Sequence, residues 1–314
     1  MNISQLKQTA REKLSRGEYP PHRLALWYAG LAVGITLAIT VINYLLTQKM
    51  DAAAGLAGIG TRTTLSFVQT LLMLGSAVAM PFWDLGFTHG SLCIARGEYA
   101  GPDRLLEGFR RFGVSLRLLL IRSALLVAVG FACLQLAAIL FMMSPWSMNT
   151  LALAEELTAS GTLEMTDEAI TKVLSTIWPA YVLFGILILV LLLPTYYRFR
   201  LADWAIMDDQ SKALQAMKLS TFWTFRRRFW LFRLDLSFWW FYGLQALASA
   251  LTYGDVLLEA LGVTISQTVL FWTCCALSAV AQILIAWRFA PQVHTTYALA
   301  YDALRAEKEL RIEN

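Results

Sequence analysis

Ionisable side chains inside apolar segments are the residues of this sequence that could do chemistry. A charge in the hydrocarbon core of a membrane is costly unless it is paired or hydrated, so such residues often mark a substrate or ion pathway. Arginine can extend to the lipid headgroups, whereas the shorter carboxylate of aspartate cannot. We therefore expect the aspartates to face protein or a water-filled vestibule. The candidate binding residues are Asp84, Asp235, Arg122, Arg200, Arg233 and His294.

Arg233 and Asp235 lie two residues apart in an apolar, tryptophan-rich stretch. On a helix their side chains point about 200° apart, so they do not pair well with each other. We expect Arg233 to reach the headgroups and Asp235 to point into the bundle, with Ser237 facing away from it. The cations expected to meet Asp235 are Arg122, Arg198 and Arg200. Asp84 is likewise expected to contact an arginine or a polar vestibule.

No motif for covalent or metal chemistry accompanies these charges. The sequence lacks an HExxH motif and a P-loop, and the Gly-Phe-Thr-His-Gly run at 86–90 lacks the central serine of a nucleophile elbow. Three histidines are too few for a metal centre, and the four cysteines lie in apolar stretches without CxxC spacing. We therefore predict no catalytic residue, no metal and no cofactor.

The composition places the candidate residues in a membrane protein. The 314-residue chain is 57% hydrophobic and 15% charged, whereas a soluble domain has about 25% charged residues. No basic run lies in a soluble context, so nucleic acid is not an expected partner. A helix needs about 20 residues to cross a bilayer. The apolar segments that reach this length are 24–47, 63–93, 117–143, 173–197, 230–252 and 268–295.

Lysines and arginines are concentrated on one side of the predicted membrane. They crowd the N-terminal segment, the second and fourth loops and the C-terminal end, whereas the opposite side has Lys49, Arg62 and Lys172. Basic residues favour the cytosolic side, so we expect both termini in the cytosol. Arginines beside a span can also bind anionic lipid headgroups. The headgroup candidates are Arg110, Arg111, Arg226, Arg227 and Arg228.

The longest outer loop, residues 144–172, is acidic. Its acidic side chains are Glu155, Glu156, Glu164, Asp167 and Glu168. They lack the spacing of a calcium-binding EF-hand, so we interpret them as a solvated surface. Thr166 precedes two of these acids, a pattern typical of the N-terminal cap of a helix.

Three parts of the chain share one pattern. Each has a short amphipathic helix, a cluster of basic residues, a helix that crosses the membrane outward and a helix that returns to the cytosolic side. The short helices have apolar residues at helical spacing, with Leu6 and Ala10, Leu105 and Phe109, and Leu214 and Met217. The returning helices each carry a proline, namely Pro81, Pro194 and Pro291. Parallel repeats are a known transporter architecture. Proline is also common in spanning helices in general, so unrelated helices are the alternative interpretation.

Several stretches of the chain resemble the sequence motifs of a known family. The most specific is Leu-Asp-Leu-Ser-Phe within the box 232–238, and the others are 5–14, 95–98, 105–112, 205–209 and 290–301. Together they resemble the bacterial integral-membrane family called "domain of unknown function 975". The resemblance implies a multi-spanning protein of the bacterial cytoplasmic membrane and offers no catalytic residue. The acidic outer loop and the many tryptophans depart from the usual pattern of the family.

The predicted fold is an all-α membrane protein, a six-helix transmembrane bundle in a single domain with short amphipathic cytosolic helices. One functional hypothesis is a transporter or channel for a small or amphipathic substrate, with a vestibule facing the cytosol. The alternative is a non-catalytic scaffold, accessory or immunity-type protein that binds anionic lipid or a partner, including a second copy of the chain. An enzyme acting on lipid is the third hypothesis. A water-filled path would favour transport, and a closed centre would favour a scaffold.

Overall fold

The computed structural model describes residues 2–16, 20–52, 58–150, 152, 167–208, 211–254 and 267–313. All regular structure in these residues is helical and no strand is found among them, which confirms the all-α class. The acidic residues Glu155, Glu156 and Glu164, the predicted cap Thr166 and Asp209 lie outside the described residues. The chain divides into two compact units, Met1–Arg117 with Leu201–Asn314, and Leu118–Arg200.

The helices vary widely in length. In chain order they are α1 (Ile3–Arg16), α2 (Pro21–Ala52), α3 (Ile59–Arg96), α4 (Glu107–Arg110), α5 (Phe112–Met142), α6 (Asp167–Leu187), α7 (Leu193–Arg198), α8 (Ala202–Asp208), α9 (Ala213–Thr224), α10 (Arg228–Leu236), α11 (Trp239–Ala250) and α12 (Gln267–Glu313). Short 3-10 turns at Pro102–Leu106 and Leu251–Tyr253 precede α4 and follow α11, and a π turn at Ile188–Leu192 joins α6 to α7.

Within the described ranges, five helical runs are long and apolar enough to cross a membrane. They are Pro21–Met50, Ile59–Arg96, Phe112–Met142, Leu174–Asp208 and Thr268–Leu310. These runs correspond to five of the six predicted spans. The membrane character and the multi-pass helical architecture are therefore supported.

The segment predicted as the fifth span, 230–252, is not a single helix. Ser237 and Phe238 separate α10 from α11, and neither helix alone reaches the length of a span. Arg233 and Asp235 lie in the nine-residue helix α10, before the break. The structure thus divides this segment into two helices, and the predicted crossing at 230–252 is not among the five runs.

The break between α10 and α11 is fixed by polar contacts. The hydroxyl of Ser237 donates to the carbonyl oxygen of Leu234 at 2.6 Å, which closes the end of α10. The carbonyl of Ser237 accepts a hydrogen bond from Nζ of Lys7 at 2.7 Å, and the same ammonium lies 4.0 Å from the centre of the Phe238 ring. The helix α1 thus satisfies a backbone group that the break exposes.

The helices α2 and α12 are antiparallel neighbours. At one end Nδ1 of His22 lies 3.0 Å from the carbonyl oxygen of Trp287. At the other end the hydroxyl oxygens of Tyr44 and Thr268 are 3.4 Å apart. The two helices therefore run side by side over the apolar part of the chain.

The helix α11 also runs antiparallel to α12. The Trp240 ring packs edge-on against Phe289, with centroids 4.7 Å apart. Further along, Oγ1 of Thr252 lies 2.8 Å from Oγ of Ser278. α11 starts beside the middle of α12 and continues toward its N-terminal end.

Short helices pack against the ends of long helices in a layer that we call the base. It comprises α1, α4, α8, α9 and the helix ends 85–96 and 290–305. Glycine allows the closest approach in this layer. A Cβ atom on Gly108 would overlap the carbonyl oxygen of Phe82, and one on Gly86 would overlap that of Leu105. The backbones of α3 and of the segment leading into α4 are therefore in direct contact.

The other short helices dock on different long helices. α1 contacts α12 and buries Leu6 and Ala10, as their spacing predicts. α9 contacts α8, and Oγ of Ser220 accepts a hydrogen bond from the Leu201 amide at 3.2 Å. Of the two residues predicted to bury on α9, Met217 is buried but Leu214 is exposed, because the buried face runs through Ala213, Ala216, Ser220 and Trp223 instead.

The second unit contains α5 from Leu118 onward, α6 and α7. Sγ of the buried Cys133 on α5 lies 3.6 Å from the carbonyl oxygen of Leu187, where α6 ends. The π turn that follows is explained by Pro194, which lacks an amide proton and whose ring crowds the preceding turn. The widened turn accommodates the ring without ending the helical run.

Candidate functional site

Asp208 accepts hydrogen bonds from side chains of two other helices. Arg96 donates to it at 2.5 and 2.8 Å, Arg305 donates at 2.6 Å, and the Tyr301 hydroxyl donates at 3.1 Å. Arg96 also pairs with Asp302 at 2.7 Å. We call these five residues the Asp208 cluster. It ties the ends of α3, α8 and α12 together within the base.

The Asp208 carboxylate is well shielded from solvent. Its side chain is 11% exposed, compared with 31% for Arg96 and 30% for Arg305. Most of α8 is buried, which carries its last residue into the base. Charge-assisted bonds to a two-pronged guanidinium are stronger and more directional than neutral hydrogen bonds. The carboxylate is therefore held in one position.

Arg111 completes the environment of α8. Its Nη1 donates to the carbonyl oxygens of Ile206 at 2.8 Å and Met207 at 3.2 Å. The last carbonyls of a helix have no partner within the helix, and a cation there also interacts favourably with the helix dipole. Arg111 was a headgroup candidate in the sequence, and in the structure it caps α8.

The other headgroup candidates divide into paired and surface residues. Arg227 forms a 2.7 Å ion pair with Glu307 of α12. Arg110 is exposed and forms a 3.2 Å ion pair with Glu107. Arg226 is exposed and Arg228 is half-buried.

Asp84 and His294 lie at the two ends of a row of aromatic contacts. The Asp84 carboxylate accepts a 2.5 Å hydrogen bond from the hydroxyl of Tyr28 on α2. The Tyr28 ring stacks on Phe87, with centroids 4.4 Å apart, and Phe87 meets the His294 ring edge-on at 4.6 Å. Asp84 is exposed and His294 is half-buried. The contacts join α2, α3 and α12.

The remaining candidates belong to different units. Asp235 is half-buried and Arg233 is exposed on α10 of the first unit. Arg122 and Arg200 are half-buried in the second unit, where the Arg200 guanidinium lies 5.6 Å from the Tyr196 ring centre. The pairing of Asp235 with an arginine of the second unit stays a prediction.

The chemistry available at these sites is that of ion pairing. The Asp208 cluster contains two carboxylates and two guanidinium groups, so its formal charges balance. Among the described residues, no group of three or more His, Cys, Asp or Glu could hold a metal ion. The cluster is suited to cross-linking helices, since fully paired charges hold their elements in a fixed relation.

Sequence reasoning gave none of Arg96, Asp208, Asp302 and Arg305 as a site candidate, although Arg96 and Asp208 lie in the resembling stretches 95–98 and 205–209. One signal was available. Asp302 and Arg305 are three residues apart on a long helix, a spacing that places them on one face. The link to Asp208 had no local signal, because its partner Arg96 is 112 residues away in the chain.

Comparison with family models, curated proteins and solved structures finds no match to this chain. The resemblance stated from the sequence motifs therefore stays a prediction.

Proposed function

We propose that the chain is a non-catalytic scaffold of the bacterial cytoplasmic membrane that binds anionic lipid or a partner protein through a fixed base. The observation that carries this proposal is the Asp208 cluster, which ties together the ends of α3, α8 and α12. A transporter with a vestibule at these ends would need them to separate. Ion pairs shared among three helices oppose that separation.

Dense packing around the cluster supports a fixed base. Ile206, Met207 and Tyr301 are all fully buried there. Close-packed side chains occupy defined rotamers and transmit strain, so such a layer does not deform gradually. The packing favours the scaffold hypothesis over an open vestibule.

Six crossings, with both termini in the cytosol, are part of the proposal. Because α2 and α12 are antiparallel, an even number of crossings must lie between the start of α2 and the end of the apolar part of α12. The five long runs give an odd number. We assign the sixth crossing to α11 together with the 3-10 turn Leu251–Tyr253, which lie antiparallel along α12 and form a crossing shorter than the other five. The positive-inside rule then orients the base toward the cytosol.

The three-repeat interpretation also belongs to the proposal. α1 docks on α12, α4 docks on α3, and α9 docks on α8, which follows the returning helix of the second repeat. Each short helix thus packs on the end of the returning helix of the repeat before it. For the first repeat, that preceding repeat is the third. Parallel repeats about an axis along the membrane normal would produce this arrangement.

Cys93 provides a native probe of whether the base is fixed. It lies three residues before Arg96, and its side chain is buried, with 3% exposed. Replacing Cys133, Cys274 and Cys275 by alanine leaves Cys93 as the sole thiol. Reaction with a thiol reagent requires access to the sulfur. We expect Cys93 to stay unlabelled in native membranes and to react after denaturation.

The control for this labelling is Glu12→Cys in the same background, because Glu12 is exposed on α1. It should react readily in the native protein. Rapid labelling of native Cys93, at a rate comparable with that control, would mean that the base opens and would contradict the scaffold proposal.

Transport of a small or amphipathic substrate is the second candidate function, and the Asp84–Tyr28 pair favours it. An exposed carboxylate inside an apolar helix suggests contact with water or with a polar substrate. The variant Asp84→Cys tests for such a path. Its labelling by a membrane-impermeant thiol reagent would support transport, and protection from that reagent would support the scaffold.

A further inference from the structure

A pocket of about 540 Å³ lies between α1, the start of α2, α11 and α12. Its volume falls within the range of small-molecule sites, about 300–1,000 Å³. The charged, polar and aromatic side chains that matter for binding in this pocket are Arg11, His22, Trp240, Arg288, Phe289 and Gln292. None of these residues belongs to the Asp208 cluster.

Two cations line this pocket. Arg11 and Arg288 are both exposed, and no carboxylate among the described residues pairs with either of them. Burial and, secondly, the charge of Arg11 lower the pKa of the neighbouring Lys7, so the positive potential extends along α1. Two like charges on one cavity repel each other, and an anion held between them would relieve that repulsion.

The amide group of Gln292 supplies neutral N–H donors to the pocket, and His22 is held at its edge. Nδ1 of His22 lies 3.0 Å from the Trp287 carbonyl oxygen, which can only accept, so Nδ1 carries the proton in this hydrogen bond. That bond fixes the orientation of the imidazole ring at the edge of the pocket. Gln292 adds an amide group, which offers two N–H donors. Planar guanidinium groups bind phosphate oxygens in pairs.

The other wall of the pocket is aromatic. Trp240 and Phe289 meet edge-on, with ring centroids 4.7 Å apart. A free phosphate ion gains nothing from such a wall, whereas the glycerol and first methylene groups of a lipid can pack against it. Tryptophan at the boundary between apolar and polar regions is also typical of contact with lipid.

We infer that this pocket binds the phosphodiester headgroup of an anionic membrane lipid, with Arg11 and Arg288 on the phosphate and Trp240 and Phe289 against the glycerol. The inference deepens the proposed function and rests on it for the membrane that surrounds α2 and α12. It assigns lipid binding to one defined pocket, whereas the sequence pointed to the arginines at 110–111 and 226–228.

Native mass spectrometry of the full-length protein in mild detergent tests the inference, with phosphatidylglycerol, phosphatidylcholine and inorganic phosphate as separate probes. We expect one phosphatidylglycerol molecule to be retained in preference to phosphatidylcholine. The double variant Arg11→Gln with Arg288→Gln should weaken that binding by about 10-fold or more, because charge-assisted bonds to phosphate are lost.

The matched control is Lys212→Gln with Lys218→Gln, which removes the same charge from two exposed side chains that do not line the pocket and are not binding candidates. Its affinity should change by less than about 2-fold. Docking of α1 is checked in both double variants by labelling Ala10→Cys, because Ala10 is 0% exposed and should stay protected.

Equal losses in the two double variants, or equal retention of both lipids, would overturn the inference. Displacement of the lipid by millimolar inorganic phosphate would assign the pocket to a free anion and overturn the lipid source. Cys93 labelling in the same samples separates the two proposals. If Cys93 stays protected but the Arg11 and Arg288 changes leave lipid binding unaffected, this inference alone is overturned. If Cys93 is labelled, the scaffold proposal is overturned.

Discussion

Asp208 can be neutralised with almost no change in shape, so Asp208→Asn isolates the role of its charge. The variant leaves the guanidinium groups of Arg96 and Arg305 without the anion they share. Breaking a buried ion pair costs about 3–5 kcal/mol. The arginines are 31% and 30% exposed, so we expect a smaller loss of about 2–3 kcal/mol. The thermal unfolding midpoint in detergent should fall by several degrees.

The matched control for this change is Glu309→Gln. Glu309 pairs with Arg305 at 2.8 Å one helical turn away, but its side chain is 55% exposed. Exposed pairs at this spacing contribute less than about 0.5 kcal/mol. Equal unfolding midpoints for the two variants would show that the Asp208 cluster is no more than a surface network.

At the scale of single residues, the sequence identified the type of group that matters but not its place. Aspartates in long apolar segments were visible because burying a carboxylate is costly, and Asp84 was found in this way. Asp208 ends the long run Leu174–Asp208, but the apolar pattern ended the predicted fourth span at residue 197, so Asp208 fell in the loop that follows it. Its partners lie far away in the chain, so residue spacing could not identify them.

The docking of α4 on α3 depends on the absence of a side chain at Gly108. In Gly108→Ala the added Cβ would overlap the backbone oxygen of Phe82, and backbone cannot move aside as the tip of a side chain can. Overpacking of this kind costs about 1–3 kcal/mol. We expect a lower thermal unfolding midpoint in detergent for this variant.

Gly113→Ala is the matched control, because a Cβ at Gly113 meets nothing within 4 Å. Alanine favours the helix over glycine by up to about 1 kcal/mol, so this variant should be neutral or slightly more stable. A Gly108→Ala protein as stable as Gly113→Ala would mean that α4 is not held against α3.

At the scale of elements, the long helices were predictable and the break between α10 and α11 was not. A continuous apolar run of spanning length favours helix whatever its neighbours are, so five spans follow from the sequence alone. At the break, the Ser237 carbonyl accepts a hydrogen bond from Lys7, which is 230 residues away and so leaves no signal in the local sequence. Because 230–252 is predominantly apolar and reaches spanning length, its pattern favoured an unbroken helix.

At the scale of the whole molecule, composition predicted a helical membrane protein but did not predict how its helix ends are joined. We expected a polar vestibule because charged residues gather near one end of the spans. The charges in the base instead pair with one another between α3, α8 and α12. Charge count alone does not distinguish a hydrated cavity from a set of ion pairs, since both place the same residue types at the same depth.

The topology can be tested on the whole chain. The antiparallel contact of α2 with α12 requires an even number of crossings, and the basic residues favour the cytosol for both ends. We expect a reporter that is active only in the cytosol to be active when fused to either terminus. In a background without the four native cysteines, Ser160→Cys in the predicted outer loop should react with a membrane-impermeant reagent on intact cells. Activity at one terminus only would mean that α11 does not cross, and an unreactive Ser160→Cys would mean that the orientation is reversed.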